Sequence, residues 1–215
     1  MRNPRSARPN DVVSVILAAG ASSRMGVPKA LLSIDREAFL ERILLTCRSA
    51  ELPVCVVLGD DHALIRASVD FAGAAVFINP HPCQGPLSSL QIALGFLCDS
   101  SAVIVHPVDH PLVSPPTIRG LAECHRRVPA CILIPQYRGR KGHPALFPSR
   151  FYPCLREAPL EEGARWVVRH HPASTRLLPV EDAGILANLN RPGDLSYWRR
   201  ATPASLDIPQ QQSLL

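Results

Sequence analysis

Val12-Val-Ser-Val-Ile-Leu-Ala18 is an apolar, β-branched run, and Ala19-Gly20-Ala21-Ser22-Ser23 breaks it at once. A short apolar run closed by a small-residue turn reads as a buried parallel strand leading into a loop. Working outward, residues 39–50 carry Phe39, Leu40, Ile43, Leu44 and Cys47 at helical spacing. Strands are then expected at Val54–Leu58, 74–78 and Ala102–Pro107, with helices at 62–69, 87–97 and 116–126. Pro115 and Pro116 suit the first turn of the last of these helices. Strands and helices alternating in this way predict an α/β fold of three layers, a mostly parallel sheet with helices on both faces.

The rhythm breaks after residue 131. Residues 131–135 and 144–147 read as two strands around a turn at 137–142, which predicts a hairpin insertion. Residues 149–170 read as helical pieces interrupted at Pro153 and Pro159. Short strands are expected at 175–180 and 185–189, and a last short helix at 192–199. The expected division is a flexible basic tail at 1–11, one domain at 12–198 and a flexible tail at 199–215.

With 215 residues, 47% of them hydrophobic, the chain can bury a core and is not a disordered sequence. Its net charge of +5 falls to +2 once the five arginines and two aspartates of the two tails are set aside. The basic balance therefore belongs to the tails, and no nucleic-acid partner is expected. No run approaches a membrane span, and the amino terminus lacks the apolar stretch of a signal peptide. The 7 cysteines are scattered without a CxxC pair, which reads as reduced thiols in a cytoplasmic protein.

The first loop, Leu17 to Lys29, lies where an open α/β sheet places its ligand crevice. It fits neither GxGxxG nor GxxxxGK[ST], since Ala21 and Ser22 follow Gly20 and Lys29 stands three residues beyond Gly26. It is nevertheless a small-residue turn that delivers Arg24 and Lys29. The amides around Ala18, Ala19 and Gly20 can face anionic oxygens, Arg24 can fork a phosphate, and Lys29 adds a point charge. A plain strand-to-helix turn with two solvated cations reads the same residues.

Leu17-Ala-Ala-Gly-Ala-Ser-Ser-Arg-Met-Gly-Val-Pro-Lys-Ala-Leu-Leu32 resembles the signature loop of the MobA-like nucleotidyltransferases, most closely the molybdenum cofactor cytidylyltransferase branch. Asn79-Pro80 with Gln84-Gly-Pro-Leu-Ser-Ser-Leu90, Pro107-Val-Asp-His-Pro-Leu112 and Arg140-Lys-Gly-His-Pro-Ala-Leu-Phe147 are similar to three further segments of that family. The likeness runs over roughly residues 12–198. It implies a single-domain, three-layer nucleotidyltransferase fold of Rossmann-like type. It also implies transfer of a nucleoside monophosphate, CMP from CTP, to a phosphate acceptor, molybdopterin bearing molybdenum, with release of pyrophosphate. Catalysis would then fall to Arg24, Lys29 and Asp109. Nucleotide binding would fall to Leu17, Ala18, Ala19, Gly20, Ser22, Ser23, Arg24, Lys29, Gly85, Ser88 and Ser89. The acceptor would meet His110, Gly142 and His143, and Mg2+ would sit on Asp109 with help from Asn190. A molybdoenzyme is the protein partner such a role suggests.

Each of these residues has a plainer reading beside it. Asp109 after an apolar strand suits Mg2+, which needs only one or two protein carboxylates, yet Asp before His-Pro also makes a turn. His110 reads as a wall of the pocket or as a base beside the metal. Ser88 and Ser89 suit an anion or a nucleobase edge, and equally plain N-capping. Arg138, Arg140 and Lys141 around His143 could receive an acceptor phosphate or simply decorate a solvated hairpin tip. Asn188 and Asn190 stand where the cytidylyl branch carries Asp-x-Asp, and this Asn-x-Asn form is more like the guanylyl branch. The alternatives are therefore a GTP-using molybdopterin guanylyltransferase, a transferase for another phosphorylated acceptor, or a non-catalytic cofactor carrier.

Overall fold

The computed structural model describes residues 11–20, 27–190 and 194. The chain enters through β1 (Val12–Ala18), then a small ribbon of β2 (Ser33–Ile34) and β3 (Glu37–Ala38), and α1 (Phe39–Ser49). Next come β4 (Val54–Leu58), α2 (His62–Ser68), β5 (Ala75–Ile78), α3 (Pro86–Phe96), β6 (Ala102–Pro107) and α4 (Pro115–Arg127). The remainder is β7 (Ile132–Tyr137), β8 (Arg140–Lys141), β9 (Ala145–Pro148), α5 (Tyr152–Glu157), α6 (Arg165–His170) and β10 (Thr175–Pro179).

One mixed sheet runs in the order β10-β7-β9-β6-β1-β4-β5, with β8 paired to β7 outside this path. β6, β1, β4 and β5 are parallel neighbours, while β9 runs antiparallel between β6 and β7. Successive β1 side chains point to opposite faces, so both faces need covering. Val13 and Val15 pack with α3, α5 and α6 through Leu90, Leu94, Leu155 and Val167. Ile16 and Ala18 pack with α1 through Leu40, Ile43 and Leu44, and α4 covers the remainder of that side through Ile118 and Leu121. The expected three layers and mostly parallel sheet are present. From β1 the chain winds one way through β4 and β5, then crosses back to β6 on the other side, which leaves a crevice at the carboxyl ends of β1 and β6.

Four expectations change. Residues 185–189 are not a strand: Ala183–Leu186 is a 3-10 turn, and nothing pairs with it in the sheet. The carboxylate of Asp182 accepts from the Gly184 amide, and a Cβ at Gly184 would run into the Leu112 carbonyl, so the chain turns where apolar residues suggested extension. Pro153 starts α5 rather than interrupting it, because a proline in the first turn forfeits no helical hydrogen bond. The segment 137–142 holds β8, joined to β7 through Arg138 (φ 46°) and Gly139 (φ 78°), both left-handed. α3 begins at Pro86 with Gly85 before it, so Ser88 and Ser89 lie inside its first turn and neither caps it. The last helix expected at 192–199 and both tails lie outside the described residues apart from Asp11 and Asp194.

Candidate active site

The crevice is lined by Leu17, Ala18, Ala19 and Gly20 from the end of β1, and by Pro107, Val108 and Asp109 from the end of β6. Gly59 and Asp61 close it after β4, Gly85 and Ser89 at the start of α3, and Lys29 from the first loop. Of the expected site residues, Ser22, Ser23 and Arg24 lie outside the described residues. Gly59 matters sterically, since a Cβ there would strike the Ala19 carbonyl. Gly85 has φ 90°, a left-handed conformation that lets the chain turn sharply into α3 beside the crevice.

Asn79, which sequence reasoning noted but did not assign, organises that wall. Its amide nitrogen donates to Ser88 Oγ at 2.8 Å and Ser89 Oγ at 2.9 Å, and its Oδ1 accepts the His81 amide at 2.8 Å. Ser88 in turn donates to the Gly85 carbonyl at 2.8 Å. All three side chains are buried, so their polar atoms are satisfied as burial demands. Ser89 alone of the pair lines the crevice.

Asp109 sits just beyond β6, and its Oδ1 accepts from His110 Nδ1 at 2.9 Å. Burial pushes the Asp109 carboxyl up, but the His110 hydrogen bond and the nearby His110, Lys29 and His143 outweigh it and hold the group below its ordinary range. His106, fully buried on β6, has its Nε2 at 3.0 Å from the His110 carbonyl, so Nε2 carries the proton and donates. Its Nδ1 is buried without a partner, and burial pulls its pKa down to about 4. The His143 ring meets that of His110 edge-on at 4.7 Å between centroids. Loss of hydration among its neighbours and, after it, the nearby His110 lower the His143 pKa to about 4, although the residue is exposed.

Lys29 Nζ donates to Asn190 Oδ1 at 2.6 Å, and Asn190 Nδ2 donates to Asn188 Oδ1 at 2.8 Å. The Asn188–Asn190 pair thus lies against the lysine, with the Asn190 carbonyl oxygen engaged by it. Gly142 packs so tightly that a Cβ would strike the Ile185 carbonyl, and the His143 amide donates to that same oxygen at 3.0 Å. Gly142 and His143 therefore bring the β8–β9 connection to the His110 side of the site. Arg140 and Lys141 are exposed on β8, and Arg138 lies 5.1 Å from the centroid of the Tyr137 ring. Among the described residues no group of three or more His, Cys, Asp or Glu side chains is placed to hold a metal, and no helix is long and apolar enough to cross a membrane.

Residues 14–175 match the description of the MobA-like NTP transferase domain. The chain belongs to that family. Among curated relatives of this family member, the molybdenum cofactor guanylyltransferase of Xanthomonas euvesicatoria pv. vesicatoria is 37% identical over 101 residues. That alignment takes in 46% of this chain and 48% of the relative, so the chain spans about half the length of that protein. A probable molybdenum cofactor guanylyltransferase of Rhodopirellula baltica is 27% identical over 91% of the chain and 97% of its own length. In fold, Rv0371c of Mycobacterium tuberculosis superposes with a TM-score of 0.78 at 24% identity, over 90% of this chain and 100% of that one. The Rossmann-like nucleotidyltransferase fold is thereby established.

Proposed function

We propose that this MobA-like protein transfers CMP from CTP to the phosphate of molybdenum-bearing molybdopterin and releases pyrophosphate. The observation that carries the reading is the convergence of Lys29, Asp109 and the β1-end backbone on one crevice at the sheet's switch point. In the transfer, an acceptor phosphate oxygen forms a bond to the α-phosphorus while the bond to the β-phosphate bridging oxygen breaks. The attacking oxygen is already anionic at neutral pH, so no general base is required. What the protein must supply is alignment and positive charge. A cation about 4 Å from a phosphate oxygen is worth roughly 4 kcal/mol at an effective dielectric of 20, before desolvation. Lys29 fills that role here, and Arg24 is assigned the same task from the sequence.

Mg2+ is part of the proposal. Asp109 fits it through its carboxylate at the edge of the crevice, held ionised by its surroundings. The ion would neutralise charge developing on the phosphates. Asn190 would assist through its Oδ1, the same oxygen that accepts from Lys29 here. His110 and His143 would then receive the acceptor beside the carboxylate, with Arg140 and Lys141 drawing in its phosphate.

Ala18 and Ala19 support a pyrimidine, since they stand in place of the Ala-Gly or Gly-Gly of the guanylyl branch. The second reading, GTP as donor, is favoured by the names of the curated relatives and by Asn188 and Asn190. Pyrophosphate release with Mg2+ from CTP, GTP, ATP and UTP, with and without the loaded pterin, tests both. Pterin-dependent release from CTP is expected. Release from GTP alone would move the protein to the second reading, and silence with tight pterin binding would make it a carrier.

A further inference from the structure

Residues 182–190 form a strap that meets His143, Asp109 and Lys29, although it belongs to no sheet. Its first residue, Asp182, is buried and takes four hydrogen bonds on one carboxylate. Oδ2 accepts from the Ser114 amide at 2.8 Å, the Ser114 hydroxyl at 2.8 Å and the Thr117 hydroxyl at 2.6 Å. Oδ1 accepts from the Gly184 amide at 2.9 Å. The carboxylate thus ties the strap to the first turn of α4. Three residues on, the Ile185 carbonyl holds the His143 amide at 3.0 Å. Farther along, the Leu189 amide donates to the Asp109 carbonyl at 2.7 Å, and Asn190 takes the Lys29 ammonium.

A segment without strand pairing has no ladder to fix its register, so its position is set by these individual hydrogen bonds together with the buried Ile185, Ala187 and Leu189 side chains. Moving the anchored end would shift Ile185 against His143 and Leu189 against Asp109 together. We propose that Asp182 is a positioning residue: through this strap it fixes the distance between the acceptor side of the crevice at His143 and the carboxylate side at Asp109. Its effect on turnover rests on the transferase reading above, whereas its effect on the strap does not.

The test uses the full chain and two variants, Asp182→Asn and the milder Ser114→Ala/Thr117→Val pair, which removes only the hydroxyl donors. Residue-resolved amide hydrogen exchange is the first readout. The proposal expects protection to fall about tenfold or more at His143 and Leu189, with β1 and β4 unchanged. The second readout is steady-state transfer, where kcat should fall on the order of tenfold and acceptor KM rise, with nucleotide KM within about twofold. Loss of protection confined to Ser114 and Gly184, with kcat and acceptor KM unchanged, would reduce Asp182 to a local cap and overturn the proposal. If Asp182→Asn does not fold, the hydroxyl pair decides by the same criteria. Absence of transfer in the unmodified protein would refute the transferase reading while the exchange data still decided the strap.

Discussion

The donor side of the crevice and the acceptor side are built by opposite means. Leu17, Ala18, Pro107 and Asp109 end two buried parallel strands whose pairing is continuous from Val12 to Leu17. Gly142, His143 and the 182–190 strap instead lie outside the strands, held by one hydrogen bond each at the Pro135 and Ile185 carbonyls, by four at the Asp182 carboxylate and by close glycine contacts. The sheet places the first set by strand pairing, with one close glycine contact of its own where Gly59 meets the Ala19 carbonyl. The second set depends on a few polar atoms and on two glycines, Gly142 and Gly184, where an added Cβ would meet a backbone carbonyl. Chemistry should therefore be lost by changing side chains on the donor side, and geometry by changing backbone packing on the acceptor side.

The largest effect should come from Asp109→Asn, which keeps the shape but removes the charge held between His110 and the crevice. A drop in kcat of about a thousandfold is expected, with only a small fall in melting temperature from the lost carboxylate–His110 interaction. Steady-state pyrophosphate release checks it; a loss in acceptor KM alone would erase the contrast between the two sides.

Next is pH stability. His106 is neutral in the fold at about pH 4 and above, whereas an exposed histidine protonates near 6.5. The unfolded chain therefore binds more protons between these values, so stability is lost as pH falls from about 6.5 to 4. That loss is at most about 3 kcal/mol. Asp109, with its lowered pKa, loses stability in the same direction on further acidification. Denaturant unfolding of His106→Gln across this window should show a flatter acid limb than the unmodified chain. An equally steep limb would place the sensitivity elsewhere.

Gly142→Ala should cost about 1–3 kcal/mol of stability and raise acceptor KM while sparing nucleotide KM, because the new methyl meets the Ile185 carbonyl. Thermal unfolding and a substrate-by-substrate kinetic comparison read both. The smallest effect belongs to Arg140→Ala/Lys141→Ala. These exposed charges should change acceptor KM only a few-fold, and the difference should shrink in high salt. A salt-independent effect would mean direct contact with the acceptor in place of steering.

The same contrast explains what the sequence made legible. β1, β4 and β6 were bounded residue for residue from their apolar runs, since strands buried on both faces admit little else. Lys29, Asp109, Gly85 and Ser89 then fell together because strand ends and helix starts converge in such a sheet. Residues 185–189 misled for an instructive reason. Ile185, Ala187 and Leu189 are buried with the period of two that marks a strand, but they plug the core from a chain with no pairing partner. Asp182 gave no signal, because its donors Ser114 and Thr117 lie far away in sequence. Asn79 was visible as a motif residue, but its hold on Ser88 and Ser89 needed coordinates.

The central claim is that the α-phosphorus is the one transferred, and labelled nucleotide tests it most directly. CTP labelled at the α-phosphate or at the γ-phosphate would be offered in parallel with the loaded pterin and Mg2+. The account predicts α-label in a pterin dinucleotide and γ-label in pyrophosphate. Appearance of γ-label on the pterin, or of α-label only in free CMP, would contradict it.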